Sequence, residues 1–161
     1  MSRNLSITDN IQIIETDIFG NELRRIHVHN LITSTGLDIF RDYLAGTLLA
    51  PNYFMLGTGT TAAASTDTAL QSSNFDVAFT DSTTRSAGIT FNGYVYSTDG
   101  VGSTWNEVGI FTSSSQLIGR ALITPIIKTS SSPTNQLIAW AFDLTAATRG
   151  INIWHTLQTH I

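Results

Sequence analysis

Apolar and polar residues alternate with a period of two along much of the chain, which is the pattern of half-buried β-strands. Residues 11–15 and 25–29 alternate in this way on either side of a turn at Phe19-Gly20-Asn21, and they predict a hairpin. Further short apolar segments, separated by Gly, Pro, Ser and Asn clusters, occupy residues 53–57, 75–80, 87–97, 104–112, 116–128, 136–144 and 151–158. The pattern therefore indicates a protein made mainly of strands.

The period changes once along the chain. The i, i+3, i+4, i+7 spacing of an amphipathic helix occurs at Leu37, Phe40, Arg41 and Leu44. Ser34 or Thr35 is placed to cap the start of this helix, and Gly46 to end it. One helix over about residues 35–46 is predicted.

Many short strands and a single helix predict an all-β protein, an antiparallel β-sandwich of Greek-key or jelly-roll type with two packed sheets. A parallel α/β fold would need a helix between most strands, and the chain offers one. The 161 residues contain no internal repeat or linker, so one domain over residues 1–161 is expected. Pro125 interrupts the apolar run of residues 121–127, and it predicts a sheet edge or a bulge because proline donates no backbone hydrogen bond.

Charged residues are scarce in this chain. They make up 12% of the chain, against about 25% in ordinary soluble domains, and Ser and Thr supply most of the polarity. A neutral, hydroxyl-rich surface gives little repulsion between copies, and the centres of protein interfaces are depleted in charge in the same way. The composition therefore predicts a protein that is covered by neighbours in an assembly.

Composition also excludes several partners. The net charge is −4 and basic residues are not clustered, which argues against nucleic-acid binding because phosphates require grouped Lys and Arg. No apolar run approaches the roughly 18 residues of a membrane span, and no secretion signal opens the chain, so we expect a soluble protein without a membrane partner. The absence of cysteine excludes disulfides and thiolate-bound zinc.

Catalytic motifs are not found. The segment of residues 56–61, Leu-Gly-Thr-Gly-Thr-Thr, is glycine-rich like a phosphate-binding loop, but the only lysine, Lys128, is far along the chain. There is no Gly-x-Ser-x-Gly elbow and no cysteine nucleophile. Two acid pairs occur, Asp38 with Asp42 and Asp76 with Asp81. The first pair is interpreted as solvated surface on the polar side of the predicted helix, and neither pair is expected to be catalytic. We therefore predict that the protein is not an enzyme and uses no cofactor.

The same glycine-rich segment, followed by Asp67-Thr68-Ala69-Leu70, resembles a segment of small structural proteins in tailed bacteriophage virions. The resemblance extends to residues 30–33 and 35–37 before it and to Asn106-Glu107-Val108-Gly109-Ile110-Phe111 after it. It implies a virion location, a homo-oligomer, expected to be a trimer, and other virion proteins such as the major capsid protein as partners. A capsid cement or decoration protein that stabilises the shell is favoured slightly, because the chain has no shaft repeat or coiled-coil heptads. The alternative is a tail, neck or fibre component that contributes to host attachment.

Several residues around the resemblance are expected to have structural or interface roles. Gly57 and Gly59 are interpreted as freeing the backbone where it leaves a strand, and Gly109 as a bulge or a close approach of another chain. Glu107 is flanked by apolar strand residues, and a buried carboxylate is costly unless it is paired. A salt bridge to Arg120 or Arg41 is therefore predicted.

His27 and His29 are the only pair with spacing suited to metal binding, because residues two apart on a strand share a face. In phage tail-tip trimers, His-x-His can hold iron, but the surrounding segment here is not the tip motif. Two surface histidines without a metal are therefore the preferred interpretation. His155 and His160 have no partner at such spacing, and no metal site is predicted.

The aromatic residues allow two interpretations. A carbohydrate-binding module would stack exposed rings on sugars, whereas rings in two-sided apolar runs such as residues 137–142 indicate core or subunit packing. Packing is preferred for Trp140. The pattern indicates packing least for Trp105, which follows a glycine-rich stretch. The remaining rings of the set are Phe91, Tyr94, Tyr96, Phe142 and Trp154.

Overall fold

The computed structural model describes residues 5–46 and 50–146, in which nine strands and one helix follow one another. The elements are β1 (Leu5–Thr16), β2 (Glu22–Val28), β3 (Leu31–Ile32), α1 (Ser34–Leu44), β4 (Pro51–Gly57), β5 (Ser73–Arg85), β6 (Gly88–Val95), β7 (Thr104–Thr112), β8 (Leu117–Ile127) and β9 (Asn135–Ala146). The predicted hairpin is confirmed as β1 and β2. The predicted strand over residues 151–158 lies outside the described residues.

All strand pairs are antiparallel, and they form one sheet in the order β2-β1-β9-β6-β5-β4-β7-β8-β3. The predicted all-β antiparallel class with one helix is confirmed. The strands lie in a single sheet curled into a half-barrel, where two packed sheets were expected. The reason is the 13-residue strand β5, whose first half pairs with β4 and whose second half pairs with β6.

The curl of the sheet creates the core, because the inward-facing residues of distant strands meet. Phe54 on β4 stacks on Trp140 on β9 with ring centroids 6.1 Å apart, although two strands separate β4 from β9 in the sheet order. Fully buried members of this core are Ile11, Ile13, Phe54, Leu56, Val95, Trp105, Val108, Ile110, Ile118, Ile138 and Trp140. The alternation seen in the sequence therefore corresponds to the inside and outside of the half-barrel.

Helix α1 agrees in position with the predicted helix, but its cap and its buried face differ. Thr33 is the N-cap, in place of Ser34 or Thr35, and its buried hydroxyl accepts from the N–H of Gly36 at 3.0 Å. Gly36 and Ile39 are the buried helix residues, whereas Leu37 and Leu44 of the predicted apolar face are 52% and 80% exposed. Gly36 allows the helix backbone to approach Ile118 on β8, which turns this face inward.

In the described residues, this helix is too short to cross a membrane and no other helix is present.

Pro125 lies both at an edge and beside a bulge, as predicted. Strand β3 pairs only with Gly119 and Arg120 of β8, so among the described strands none pairs with this side of β8 at Pro125. The β7–β8 register shifts between the pairs Trp105 with Ile126 and Glu107 with Leu122. The carbonyl of Pro125 accepts from Nη2 of Arg24 on β2 at 2.7 Å. This side-chain contact bridges the two margins of the curled sheet.

We predict that Gly36→Ala destabilises the protein, although alanine ordinarily stabilises a helix interior by about 1 kcal/mol relative to glycine. A Cβ at position 36 would lie 2.2 Å from the carbonyl oxygen of Ile118, so the helix would have to move from β8. Overpacking of this kind costs about 1–3 kcal/mol in the free energy of unfolding, measurable by urea denaturation. Ser34→Ala, at an exposed position of the same helix, is the matched control. A more stable Gly36→Ala variant would contradict the contact.

Candidate functional site

A single buried carboxylate holds both ends of the long connection between β4 and β5. We call this connection, residues 58–72, the anchored loop. Glu107 on β7 is fully buried, and its carboxylate oxygens accept from the backbone N–H groups of Gly59 at 3.1 Å, Gln71 at 3.1 Å and Ser72 at 2.8 Å. The loop therefore leaves and re-enters the sheet at the same side chain.

Arg120 on the neighbouring strand β8 connects this carboxylate to the middle of the anchored loop. Its Nε donates to Glu107 at 2.7 Å and its Nη1 to Asp67 at 2.9 Å. Its remaining donors reach the carbonyls of Thr61 at 2.6 Å and Ala62 at 3.3 Å. The guanidinium is 3% exposed, so these bonds replace the water that it would otherwise bind.

The predicted ion pair of Glu107 is confirmed, and the partner is Arg120. The other proposed partner, Arg41, lies on α1 and pairs with Asp38 and Asp42, where all three side chains are exposed. The two carboxylates of the helix are therefore surface groups, in agreement with their interpretation from the sequence.

Gly57 and Gly59 are required for space, which corrects their predicted role. Neither has a positive φ, so neither needs the conformational freedom that we expected. A Cβ on Gly57 would lie 2.5 Å from Oε1 of Glu107 and 2.6 Å from the carbonyl of Ser72. A Cβ on Gly59 would lie 2.6 Å from the same carboxylate oxygen. The two glycines let the chain close around the carboxylate of Glu107.

Gly109 is not at a bulge, and in the described part of the chain it is approached by the protein's own side chains. It pairs regularly with Met55 on β4 and Arg120 on β8. A Cβ there would lie 2.8 Å from Leu70, which closes the anchored loop against β7. The prediction of a bulge at Gly109 is therefore wrong, and the close approach comes from Leu70.

The environment of the network shifts two pKa values downward. Burial opposes ionisation of Glu107, but the N–H groups of Ser72 and Gln71 and the guanidinium of Arg120 outweigh it and lower the pKa of Glu107. The pKa of Asp67 is also lowered, first by the N–H of Ala64 and then by Arg120. Both carboxylates therefore favour the charged form in the folded protein.

Trp105 belongs to the core. It is fully buried, and its Nε1 donates to Asn74 at 2.8 Å. Trp140 is also fully buried, and Phe91 and Phe142 pack in the same core, as predicted. Tyr96 differs, because it is 60% exposed and stacks edge-on against Tyr94. Trp154 lies outside the described residues.

Lys128 is internal, and this buried role was not predicted from the sequence. It is 1% exposed, and its Nζ donates to the carbonyls of Tyr96 and Thr134 and to the side chain of Gln136. Burial lowers the pKa of Lys128. A lone lysine that follows the apolar pair Ile126-Ile127 was the available signal for a buried role.

His27 and His29 lie side by side and are both exposed, with ring centroids 5.6 Å apart. His27 bonds to Asn10 on β1 through its Nε2. Within residues 5–46 and 50–146, no group of three or more His, Cys, Asp or Glu side chains is arranged to hold a metal ion. His155 and His160 lie outside the described residues.

Comparison of the chain with protein-family models, with curated proteins and with solved structures found no match. The site is therefore interpreted from its own geometry. That geometry is a closed network in which Glu107 receives four donors, and its chemistry is to fasten the anchored loop to strands β7 and β8.

We predict that Glu107→Gln lowers the free energy of unfolding by about 3–5 kcal/mol, because it leaves the buried Arg120 with a weaker set of partners. The change keeps the shape of the side chain and removes its charge. Urea denaturation measures the loss, and Glu22→Gln, which breaks the exposed pair with Arg25, should change stability by less than about 1 kcal/mol. Equal effects of the two variants would contradict the network.

Replacing both members, as Glu107→Leu with Arg120→Met, should not restore stability. Buried ion pairs can often be replaced by apolar residues without loss. Here the N–H groups of Gly59, Gln71 and Ser72 would lose their acceptor, and each unsatisfied group costs about 1–3 kcal/mol if it stays buried. A double variant as stable as the unchanged chain in the same urea titration would show that the loop does not depend on the carboxylate.

We predict that acid weakens the protein through this network. A lowered folded pKa means that the contribution of Glu107 is complete above its unfolded pKa, near 4.5, and is lost as pH falls through the folded pKa. Burial raises the pKa of Asp9, which acts in the opposite direction, so the comparison is made with Glu107→Gln, which keeps Asp9. The stability difference between the two proteins should shrink as pH falls below about 4.5. A difference that stays constant with pH contradicts the assignment.

Proposed function

We propose that this chain is a non-enzymatic structural protein of a tailed bacteriophage virion, with capsid cement or decoration as its preferred role. The observation that carries the proposal is the surface, where large apolar side chains are exposed among few charges. Phe19 is 84% exposed, Leu44 80% and Ile127 60%. Exposed apolar surface of this kind marks sites that another protein covers.

The resemblance to phage structural proteins gains support from the way its segments pack. The Leu-Gly-Thr-Gly-Thr-Thr segment, the Asp-Thr-Ala-Leu segment and the Asn-Glu-Val-Gly-Ile-Phe segment are distant in the sequence. Glu107 contacts the first and Arg120 links it to Asp67 of the second, so the three segments form one unit. Proteins that share this fold and its anchored loop would need all three segments, because the segments contact one another.

The state of the buried charged groups favours binding over catalysis. A general acid or base needs a free proton position near a substrate. The carboxylate of Glu107 already accepts from Gly59, Gln71, Ser72 and Arg120, and Arg120 is used in the same network. The deepest charged residues of the described chain therefore hold the fold together.

As a cement protein, a homotrimer would sit on the shell where major capsid protein subunits meet and clamp them with apolar and hydroxyl-rich contacts. As a tail, neck or fibre component, the same domain would stack within a fibrous assembly. The second role is favoured by one observation, that exposed apolar residues lie near both ends of the β1–β9 pair. Phe19 is in the turn that follows β1, and Leu44 of α1 lines the same groove as Ile7 and Leu144 at the other end. A stacked protein needs such contacts at two ends.

The test is to find the protein in particles. Mass spectrometry of purified virions should detect it, with a copy number near that of the major capsid protein for cement and only a few copies for a tail component. The purified chain should also bind empty shells, as seen by cryo-electron microscopy, and should not bind a glycan array. Absence from the virion, or binding to glycans without binding to shells, would overturn the proposal.

A further inference from the structure

An apolar groove of about 530 Å³ opens beside helix α1. Its walls come from the helix and from strands β6 and β9, and its main lining residues are Phe40, Leu44, Ile89, Phe91, Phe142 and Leu144. Phe142 meets Phe40 and Phe91 edge to face, with ring centroids 5.5 and 6.2 Å apart. An added phenyl ring would find aromatic partners of the kind that rings prefer.

An exposed apolar knob projects from the β1–β2 turn. Phe19 is 84% exposed and Ile18 is 54% exposed. The turn beneath them is held by the carboxylate of Asp17, which accepts from the N–H groups of Phe19 and Asn21, both at 2.9 Å. The N–H of Gly20, at φ +87°, donates to the carbonyl of Asp17 at 3.1 Å. The knob is thus presented on an ordered turn, which lowers the entropy cost of binding.

The knob and the groove lie at opposite ends of the same pair of strands. In the β1–β9 ladder, Ile7 pairs with Leu144 at the groove, and Thr16 pairs with Asn135 next to the turn. Thr16 lies nine positions after Ile7 along β1, roughly 30 Å at about 3.3 Å per residue. The knob of one molecule therefore cannot enter its own groove.

We propose that the knob, Ile18 and Phe19, inserts into the α1 groove of a second copy of this chain. The groove, at about 530 Å³, has more volume than one phenyl ring needs, because pockets of roughly 300–1,000 Å³ hold whole drug-sized ligands. The charges beside both surfaces already have partners within their own subunit. Near the knob, the Asp17 carboxylate accepts from the N–H groups of its turn and Glu22 pairs with Arg25. Near the groove, Arg85 pairs with Asp143. A second copy can approach without leaving a new unpaired charge.

A knob and a groove on different faces make a heterologous contact, in which each copy uses one surface of each kind. Such contacts close into rings or continue as filaments, depending on the rotation between copies. A closed ring of three would suit the cement role, and an open stack would suit the tail role. The inference deepens the structural role proposed above and rests on it for its biological meaning, whereas the contact is tested on the purified chain alone.

The experiment is sedimentation velocity of the full chain over a range of concentrations, with variants at both surfaces. Phe19→Ala removes the knob, and Ala87→Trp at an exposed position of the rim blocks the groove. Each should raise the concentration needed for half assembly about tenfold or more, as for a central interface residue. Leu37→Ala, at an exposed helix residue outside the groove lining, is the matched control and should stay within about twofold, like a peripheral contact residue. Circular dichroism checks that all variants keep the fold.

Three results would overturn the contact. Phe19→Ala and Ala87→Trp could assemble at the same concentration as the unchanged chain. The proposed function would then stand, but the copies would meet through another interface. The chain could stay monomeric at every concentration, which would remove this contact while the virion measurement still decides the function. Residues of the same chain could fill the groove, in which case Ala87→Trp would lower the melting temperature and no assembly would depend on Phe19.

Cross-linking identifies the two surfaces directly, because the chain has no cysteine of its own. Leu23→Cys, beside the knob, and Ser86→Cys, at the exposed rim of the groove, are made in separate chains, so that Phe19 and the apolar lining stay intact. The chains are mixed and treated with a short bifunctional thiol reagent. The expected main product is the mixed dimer. Ser131→Cys, in the exposed loop before β9 at the knob end, replaces Ser86→Cys as the control and should give little mixed product. Equal yields from the two mixtures would overturn the contact.

Discussion

The structure depends on the burial of one carboxylate. Glu107 has no exposed surface, and an ion in that position is tolerated only where every acceptor site is used. Three backbone N–H groups of the anchored loop and Arg120 supply that satisfaction. The anchored loop needs the carboxylate in turn, because its N–H groups would otherwise be buried without acceptors. A 15-residue connection between neighbouring strands β4 and β5 is therefore ordered by a charge on β7.

The few charged residues of this chain are either buried in polar contacts or paired at the surface. Arg120 is buried in the network, and Lys128 is buried among carbonyl oxygens between β8 and β9. Exposed ions such as Arg41 pair with neighbours in the same subunit. The outer surface is left with few charges for its size and with exposed apolar side chains such as Phe19 and Leu44. Such a surface has little electrostatic reason to stay apart from other copies, which is the physical basis for the proposed role in an assembly.

Features that depend on neighbouring residues were mostly predicted correctly from the sequence, whereas features that depend on distant residues mostly were not. Strand positions and the helix were predicted because alternation and helical spacing are local patterns. The pairing of Glu107 was predicted because a carboxylate between apolar strand residues needs a partner, but two arginines were possible and only the fold chose Arg120. The roles of Gly57 and Gly59 were predicted wrongly, because a steric limit set by Glu107, which lies 48 residues or more from either glycine along the chain, leaves no local pattern.

Four properties could be derived from the amino-acid sequence alone: the strand-rich class, the helix α1, the scarcity of charge and the need of Glu107 for a partner. These properties depend on residue type and on spacing over a few positions. Three others became known only from the folded chain: the strands join into one curled sheet, Lys128 is internal, and Phe19 and the α1 groove lie at opposite ends of the β1–β9 pair. Those outcomes depend on which strands become neighbours, and long-range pairing is decided by the packing of the whole chain.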